Sequence, residues 1–168
     1  MAATSRWWCA RISAISSGAD PIGADFAIRP GIYDRAAYAP LLDEARAAGL
    51  PFMDRMRDEW LSGMLRFDRP GEVWLGAWRG DRLVGAGGLS LDPYAATPAT
   101  ARIRHVYVLA DARGMGIGAA LVHAILDHAR SRFDMVRLRT HNPAAARLYE
   151  RLGLVPSDLP DETHRLIF

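Results

Sequence analysis

Apolar and polar positions alternate in two distinct periods along residues 25–168, and together they predict strands interleaved with helices. A period of two, or a short apolar run, predicts strands over 26–29, 73–78, 82–91, 101–108, 133–140 and 163–168. A period of three to four predicts helices over 34–48, 53–65, 116–132 and 143–152. The segment 79–82, Arg-Gly-Asp-Arg, is typical of a hairpin turn. This order predicts an α/β fold, in which helices cover a mixed sheet.

The first two predicted helices carry features that bear on their geometry. Gly49 and Pro51 follow the first helix as stop signals, and Pro40 inside it should kink or divide it. In the second helix, apolar residues at one-face spacing are more typical of a core than of a ligand cleft. These residues are Met53, Met56, Trp60 and Met64.

Residues 1–24 differ from the rest, because they are rich in Ser, Ala and Gly and show no sustained period. Arg11 interrupts the short apolar run that a secretory signal would have to extend. We therefore expect 1–24 to be a flexible N-terminal extension and 25–168 to be one folded domain.

Composition excludes several classes of protein. The 168 residues are half apolar and carry a net charge of +2, which fits one globular domain and does not indicate a nucleic-acid partner. All 21 basic residues are Arg, so Schiff-base chemistry and a Walker A lysine are excluded. The single Cys9 cannot form an internal disulfide and fits a reducing, cytoplasmic compartment. No apolar run is long enough to indicate a membrane span.

A glycine-rich turn lies between a predicted strand and the third predicted helix. Three glycines before a helix allow successive N–H groups to point outward, and the helix dipole favours an anion there. An alternative is that the glycines serve only close packing. The pattern Gly114-x-Gly116-x-x-Ala119 also fits a dinucleotide fingerprint, but the strand 135–140 lacks the acidic residue that binds the ribose. The predicted phosphate-binding residues are Arg113, Gly114, Met115, Gly116, Ile117, Gly118 and Ala119.

A second motif forms the last predicted helix. Asn142 is a good N-cap, Pro143 suits the first helical position, and Gly153 suits the position after the end. Tyr149 falls on the packed face of this helix. Without further information, it would be a core aromatic residue.

Both motifs, at their separation in this chain, resemble those of the GNAT superfamily of N-acetyltransferases. Arg113, Gly116 and Gly118 match its acetyl-CoA signature, Arg/Gln-x-x-Gly-x-Gly/Ala. The strand Val106-Tyr107-Val108 precedes it as in the family. The segment 142–154 matches Asn-x-x-Ala-x-x-x-Tyr-x-x-x-Gly-Phe, with Leu154 where Phe is usual. The resemblance covers residues 25–168.

The resemblance implies a GNAT-like fold, with about six to seven strands and about four helices, and acetyl-CoA as co-substrate without a metal. It implies that the pyrophosphate lies on the turn 113–119 and the pantetheine arm along Val106, Tyr107 and Val108, with Asn142 as a further cofactor contact. It also implies that Tyr149 assists the departing thiolate. The implied reaction is direct acetyl transfer to an amine, and family habit suggests a homodimer.

The chain departs from the family where many relatives carry a catalytic Glu, because the segment 101–106 reads Ala-Arg-Ile-Arg-His-Val. His105 is a candidate base, since an imidazole of ordinary pKa near 6.5 suits proton acceptance. A structural role for His105 is equally compatible with the sequence. Glu72, Tyr33 and a chain of waters are other candidates. His123 and His128 point apart on their helix and do not indicate a metal pair.

The acceptor amine should be framed by residues 33–65 and 92–100, the variable parts of the family. The sequence leaves open a peptide N-terminus, a protein lysine, a polyamine, an amino acid or an antibiotic. A different class of function is also compatible with it, namely an acyl-CoA-binding sensor with this fold and little turnover. The missing Glu favours the sensor, and the intact Tyr149 favours the enzyme.

Overall fold

A computed structural model describes residues 25–168, and the expected N-terminal extension over 1–24 lies outside the described part. These residues form a seven-stranded sheet in the order β1-β2-β3-β4-β5-β7-β6. The strands are β1 Ala27–Pro30, β2 Val73–Arg79, β3 Arg82–Leu91, β4 Thr100–Val108, β5 Met135–Leu138, β6 Val155–Pro156 and β7 His164–Ile167. All neighbouring strands are antiparallel except β4 and β5. The predicted mixed sheet is therefore confirmed.

Four α-helices connect the strands, as predicted. They are α1 Arg35–Ala47, α2 Phe52–Ser62, α3 Ile117–Arg130 and α4 Pro143–Arg151, and a short 3-10 turn covers Ala110–Ala112. Pro40 does not divide the first helix, because α1 is continuous across it. Proline removes one backbone hydrogen bond there. Burial of Tyr38, Leu41, Leu42 and Ala45 on one face of α1 offsets that loss.

The second helix is shorter than predicted. It ends at Ser62, where Gly63 adopts a left-handed conformation with φ of 78°. Met53 and Met56 are buried as expected, but Met64 lies beyond the helix and is 70% exposed. The prediction that Met64 continues the apolar face is wrong, because the chain leaves the helix before reaching it.

The strands after α3 also differ from their predicted bounds. β5 covers four residues instead of the predicted 133–140, because α3 and its following turn occupy the chain up to Asp134. The two-residue β6 was not predicted, since two residues are too few to show a period. It pairs with β7 at the edge of the sheet.

The helices lie on opposite faces of the sheet, and two adjacent glycines of β3 show this. A Cβ added to Gly87 would meet Ile125 of α3, whereas one added to Gly88 would meet Phe67 and Trp74. Neighbouring residues of a strand point to opposite faces. Trp74 donates a hydrogen bond to Tyr38 of α1, so α1 lies on the face opposite α3. An apolar core therefore fills both sides of the central strands.

Candidate active site

Strands β4 and β5 pair over only three residues and then part. The parallel pairs are Thr100 with Met135, Ala101 with Val136, and Arg102 with Arg137. β5 ends at Leu138, whereas β4 continues to Val108. From Ile103 onwards, the edge of β4 that faces β5 has no strand partner among the described residues. Apart from the Val108 carbonyl, which accepts from Arg113 Nε at 2.9 Å, the backbone groups along this edge have no strand partner within residues 25–168 and can pair with a ligand.

A β-bulge lies on β4 beside this opening. The register with β3 shifts between Ala86 and Gly88, so that β4 carries one extra residue at this point. His105 adopts φ of 56° there. A left-handed backbone costs a residue with a Cβ about 1–2 kcal/mol, so the surrounding packing must hold His105 in place. Bulges of this kind are found where a strand changes the direction of a side chain or stops pairing with the next strand.

The glycine turn opens α3 with unused backbone donors. Gly114 and Gly116 have φ of 79° and 80°, and Gly116 is the N-cap of the helix. A Cβ at either position would meet nothing within 4 Å. The first helical bond runs from Ala120 N–H to the Gly116 carbonyl at 3.0 Å, and the N–H groups of residues 114–119 donate to no described residue. Six consecutive donors at a helix N-terminus suit an anion such as a phosphate.

The Arg113 side chain contacts both the end of β4 and helix α1. Its Nε donates to the Val108 carbonyl at 2.9 Å, and its Nη2 lies 3.3 Å from the Tyr107 hydroxyl and 3.4 Å from Glu44 Oε1. Glu44 Oε1 also accepts from the Tyr107 hydroxyl at 2.8 Å and from Ala110 N–H at 2.9 Å. The guanidinium therefore ties the turn to α1 and to the end of β4.

Helix α4 stands beside the glycine turn, with caps as expected from the sequence. Asn142 Oδ1 accepts from Ala144 N–H at 2.9 Å, and Gly153 follows the helix with φ of 91°. A Cβ on Gly118 would lie 3.4 Å from Leu148 Cδ2, which shows how closely α3 and α4 approach. The turn and the helix that carries Tyr149 are thus neighbours.

Tyr149 is 7% exposed, and its ring centroid lies 6.2 Å from that of His164. Burial raises the pKa of Tyr149 to about 12. The phenol therefore stays protonated throughout the neutral and mildly alkaline range. It can donate a hydrogen bond there, and it is a weak acid.

His105 is held under α2 by charged neighbours. Its Nε2 lies 3.1 Å from Glu59 Oε2, and Arg104 Nη2 donates to both oxygens of Glu59 at 3.0 and 3.2 Å. The His105 side chain is only 4% exposed, and its ring makes edge contacts with the rings of Phe67 and Trp74.

Burial lowers the pKa of His105, although the hydrogen bond with Glu59 opposes this effect. Burial alone would raise the pKa of Glu59. The hydrogen bond with His105 and the charge of Arg104 outweigh burial and hold that pKa below its usual range. The structure therefore favours a neutral imidazole beside an ionised carboxylate at neutral pH.

The other candidate bases from the sequence, Glu72 and Tyr33, contact neighbouring residues of the protein. Glu72 is buried, and its oxygens accept from Leu91 N–H at 3.1 Å and Arg69 N–H at 3.3 Å. Tyr33 packs between the rings of Tyr38 and Trp60. Glu59 and Glu44 were not assigned these roles from the sequence, because their partners lie 46 and 63 residues away along the chain and no local motif connects them.

No helix among residues 25–168 is long and apolar enough to cross a membrane. No group of three or more potential metal-ligating side chains occurs in the same range.

Comparison with known proteins is consistent with this geometry. The model of the acetyltransferase (GNAT) family matches residues 37–154. A presumed acetyltransferase from Exiguobacterium sp. 255-15 is 28% identical, with a TM-score of 0.74 over 84% of this chain and 93% of that one. Comparison with functionally curated proteins gives no match.

Two more distant structures share the fold. A ribosomal-protein-alanine N-acetyltransferase from Brucella melitensis is 21% identical, with a TM-score of 0.63 over 84% of this chain and 99% of that one. A GCN5-related N-acetyltransferase from Kribbella flavida is also 21% identical, with a TM-score of 0.63 over 86% and 98% of the two chains.

Proposed function

Since the chain belongs to the acetyltransferase (GNAT) family, we propose that it transfers the acetyl group of acetyl-CoA directly to a primary amine. The observation that carries the proposal is the combination of an edge of β4 and six N–H groups at the start of α3 that have no partner within residues 25–168. The two features adjoin, because β4 ends at Val108 and the turn begins at Arg113. Together they suit a long ligand that has phosphates at one end and amides along its length.

The fit of acetyl-CoA is supported by the chemistry of these groups. The N–H groups of residues 114–119 would hold the pyrophosphate, and the backbone of Val106, Tyr107 and Val108 would pair with the amide-bearing pantetheine arm. Asn142 would contribute its side-chain NH₂, because its Oδ1 already caps α4. Acetyl-CoA supplies an activated thioester for attack by the amine.

In this reaction, the amine nitrogen forms a bond with the acetyl carbon, the bond from carbon to sulfur breaks, and one proton leaves the nitrogen. Tyr149 would donate a hydrogen bond to the sulfur as negative charge develops on it. A thiolate whose acid has a pKa near 8.5 cannot fully deprotonate a phenol whose pKa is about 12. The role of Tyr149 is therefore stabilisation by hydrogen bonding.

His105 would receive the amine proton, directly or through water. Its lowered pKa keeps the ring neutral and able to accept a proton at pH 7. Glu59, 3.1 Å from Nε2, would stabilise the imidazolium that forms. Glu59 of α2 would thus take the place of the carboxylate that the segment 101–106 lacks.

A CoA-release assay with a panel of amines tests transfer, and a glycine variant tests placement of the cofactor. Gly116→Trp should abolish acetyl-CoA binding, measured by calorimetry, because the side chain would fill the space in front of the free N–H groups. Gly80→Trp is the matched control, since Gly80 also has a positive φ of 56° and open surroundings. Unchanged affinity in a folded Gly116→Trp protein would contradict the placement.

A sensor that binds acyl-CoA with little turnover is the second candidate. The burial of His105 and the absence of a carboxylate in the segment 101–106 favour it. The same assay separates the two functions, because a sensor would bind acetyl-CoA without acceptor-dependent release of CoA.

A further inference from the structure

Four arginine side chains share one face of the sheet around the point where β4 and β5 part. Arg102 and Arg104 are two residues apart on β4, so they point to the same side. Arg102 is the register partner of Arg137, and Arg137 is that of Arg165. Since Arg104 contacts Glu59 of α2, this is the face that α2 covers.

Three carboxylates face these four arginines. Arg137 donates to Asp92 through Nε and to Glu162 Oε2 through Nη1 at 3.3 Å. Arg102 Nη1 lies 3.4 Å from Asp92 Oδ2, and Arg165 Nη2 lies 2.5 Å from Glu162 Oε1. The third carboxylate is Glu59, opposite Arg104.

The cluster therefore has one positive charge in excess. Asp161 accepts from Arg102 through its backbone carbonyl at 2.8 Å, and its carboxylate forms no ion pair with these arginines within residues 25–168. The side chains of Asp92 and Glu162 are 0% and 1% exposed, so water screens these charges weakly. An anion would complete the charge balance.

Two of the arginines also have unused donors. Nη2 of Arg137 is enclosed and has no hydrogen-bond partner among the described residues, and Glu162 Oε1 of the same ion pair is enclosed and accepts no hydrogen bond, so a ligand does not reach either atom. Arg104 uses only Nη2 for Glu59, and its Nε and Nη1 donate to no group within the described part of the chain. The Arg104 side chain is 21% exposed, so a ligand can reach it. A guanidinium with free N–H groups suits a carboxylate or phosphate.

Arg104 is the arginine that brings the excess positive charge close to the proposed site of acetyl transfer. It directly precedes His105, and the free edge of β4 begins one residue earlier. With the pyrophosphate beyond Val108 and the pantetheine arm along residues 106–108, the thioester end would approach residues 103–105. An acceptor amine that attacks the thioester must therefore come close to Arg104.

We propose that the acceptor carries an anionic group, a carboxylate or a phosphate, close to its reactive amine, and that Arg104 binds this group. Arg102 and Arg137 add positive potential behind it. The inference rests on the proposed function and narrows it, because it favours amino-acid-type and phosphorylated amines over polyamines. Glu59 remains with His105, and the anion occupies the free side of the Arg104 guanidinium.

Matched pairs of amines test the inference, with kcat/KM measured by CoA release. The pairs are glycine, L-leucine and L-glutamine, each with its carboxamide, and O-phosphoethanolamine with ethanolamine; spermidine represents the polyamines. We expect the anionic member of at least one pair to be favoured about 10- to 100-fold, the worth of a charge-assisted hydrogen bond. The amine of an amino acid amide is less basic than that of the amino acid, so a larger fraction of it is unprotonated at neutral pH. This difference favours the neutral amide and therefore works against the expected result. Equal or better activity with the neutral members, or with spermidine, overturns the inference.

A binding measurement separates failure of the inference from failure of the proposed function. Calorimetry with the same pairs in the presence of CoA needs no turnover. Preferential binding of the anionic amines without any CoA release would support the inference and contradict transfer. Absence of preference in both measurements would contradict the inference, whether or not neutral amines are acetylated.

Variants show whether Arg104 is the residue responsible. Arg104→Gln should bring the preference ratio close to one, and Arg104→Lys should retain part of it. Arg79→Gln is the matched control, because Arg79 pairs with Asp25 near the opposite edge of the sheet, and its ratio should equal that of the wild type. If Arg104 only tied α2 to β4, Arg104→Gln would lower thermal stability and affect both members of each pair alike.

Discussion

The two edges of strand β4 differ in how their backbone groups are used. The edge that faces β3 is paired from Ala101 with Leu91 to Val108 with Gly85, with one bulge. The edge that faces β5 is paired over three residues only. The same strand is thus closed on one side and open on the other, and it carries His105, which contacts Glu59 of α2.

Glycines occur on both sides of β4, but the space around them differs. β3 carries Gly85, Gly87 and Gly88, and a Cβ added to Gly88 would lie 2.6 Å from both Phe67 Cε1 and Trp74 Cε3. Along the open edge and its continuation, Gly114 and Gly116 have empty space around them. Glycine therefore permits close packing in one region and leaves room for a ligand in the other.

The largest effect should come from removing the Tyr149 hydroxyl. Tyr149→Phe keeps the ring and its packing, and turnover should fall by roughly 10²- to 10⁴-fold, while acetyl-CoA affinity stays close to that of the wild type. The defect should be similar at neutral and mildly alkaline pH, because the missing hydroxyl is a hydrogen-bond donor over that whole range. The wild type should retain its donor there, because its phenol titrates only near 12.

Tyr38→Phe is the control for this experiment. Tyr38 is also buried, and burial raises its pKa to about 12. Its hydroxyl accepts a hydrogen bond from Trp74 of β2. That variant should lose stability and keep its turnover. Near-normal turnover of Tyr149→Phe at all pH values would assign Tyr149 to the core.

A methyl group added to Gly88, which pairs with β4 on its closed side, should lower stability instead of activity. Gly88→Ala should lower the free energy of unfolding by about 1–3 kcal/mol, since Phe67 and Trp74 must move. Chemical denaturation measures this, and acetyl-CoA affinity of the folded protein should not change. Gly31→Ala is the control, because its added Cβ would make only ordinary contacts, at 3.6 Å, with Trp74 and Tyr38. Equal stability of the two variants would contradict the close packing at Gly88.

The pH dependence of transfer should identify the proton acceptor at the bulge. Burial lowers the pKa of His105, so its neutral form persists to pH values below the ordinary 6.5. After correction for the fraction of acceptor amine that is unprotonated, the kcat/KM of the wild type should therefore fall only below that value, as the ring becomes protonated. His105→Gln should lower kcat/KM about 10²-fold and remove that decline at acid pH. An unchanged decline in His105→Gln would exclude His105 as the base.

The smallest effect should come from the chain that precedes the sheet. A protein that begins at Asp25 should bind acetyl-CoA and unfold as the full chain does, because β1 begins at Ala27 and both edges of β4 lie far downstream. Calorimetry and thermal unfolding of the two proteins measure this. Loss of binding or folding would show that residues 1–24 belong to the domain.

Local features were predicted well from the sequence. The caps of α4 at Asn142 and Gly153 were identified, as was the start of α3 near Gly116. Each depends on residues within one or two helical turns, where side-chain chemistry and permitted φ values act directly. The order of strands and helices followed from the hydrophobic periods for the same reason.

Features that join distant parts of the chain were not predicted. The bulge at His105 follows from its register with β3, and nothing in the segment 101–108 marks a non-glycine residue for a left-handed φ. The contact between Glu59 and His105 depends on how α2 packs over β4. The surplus of arginine appears only when β4, β5 and β7 are placed side by side.

The sequence by itself determined which segments become helices and strands, where glycine frees the backbone, and which family the motifs resemble. These properties depend on backbone dihedral preferences and hydrogen bonds that close within a few residues. Only the tertiary structure decided that β4 parts from β5 after Arg102, that Glu59 faces His105, and that four arginines meet three carboxylates. Strand register and helix packing sum many weak contacts between distant residues, so no single segment contains the information that fixes them.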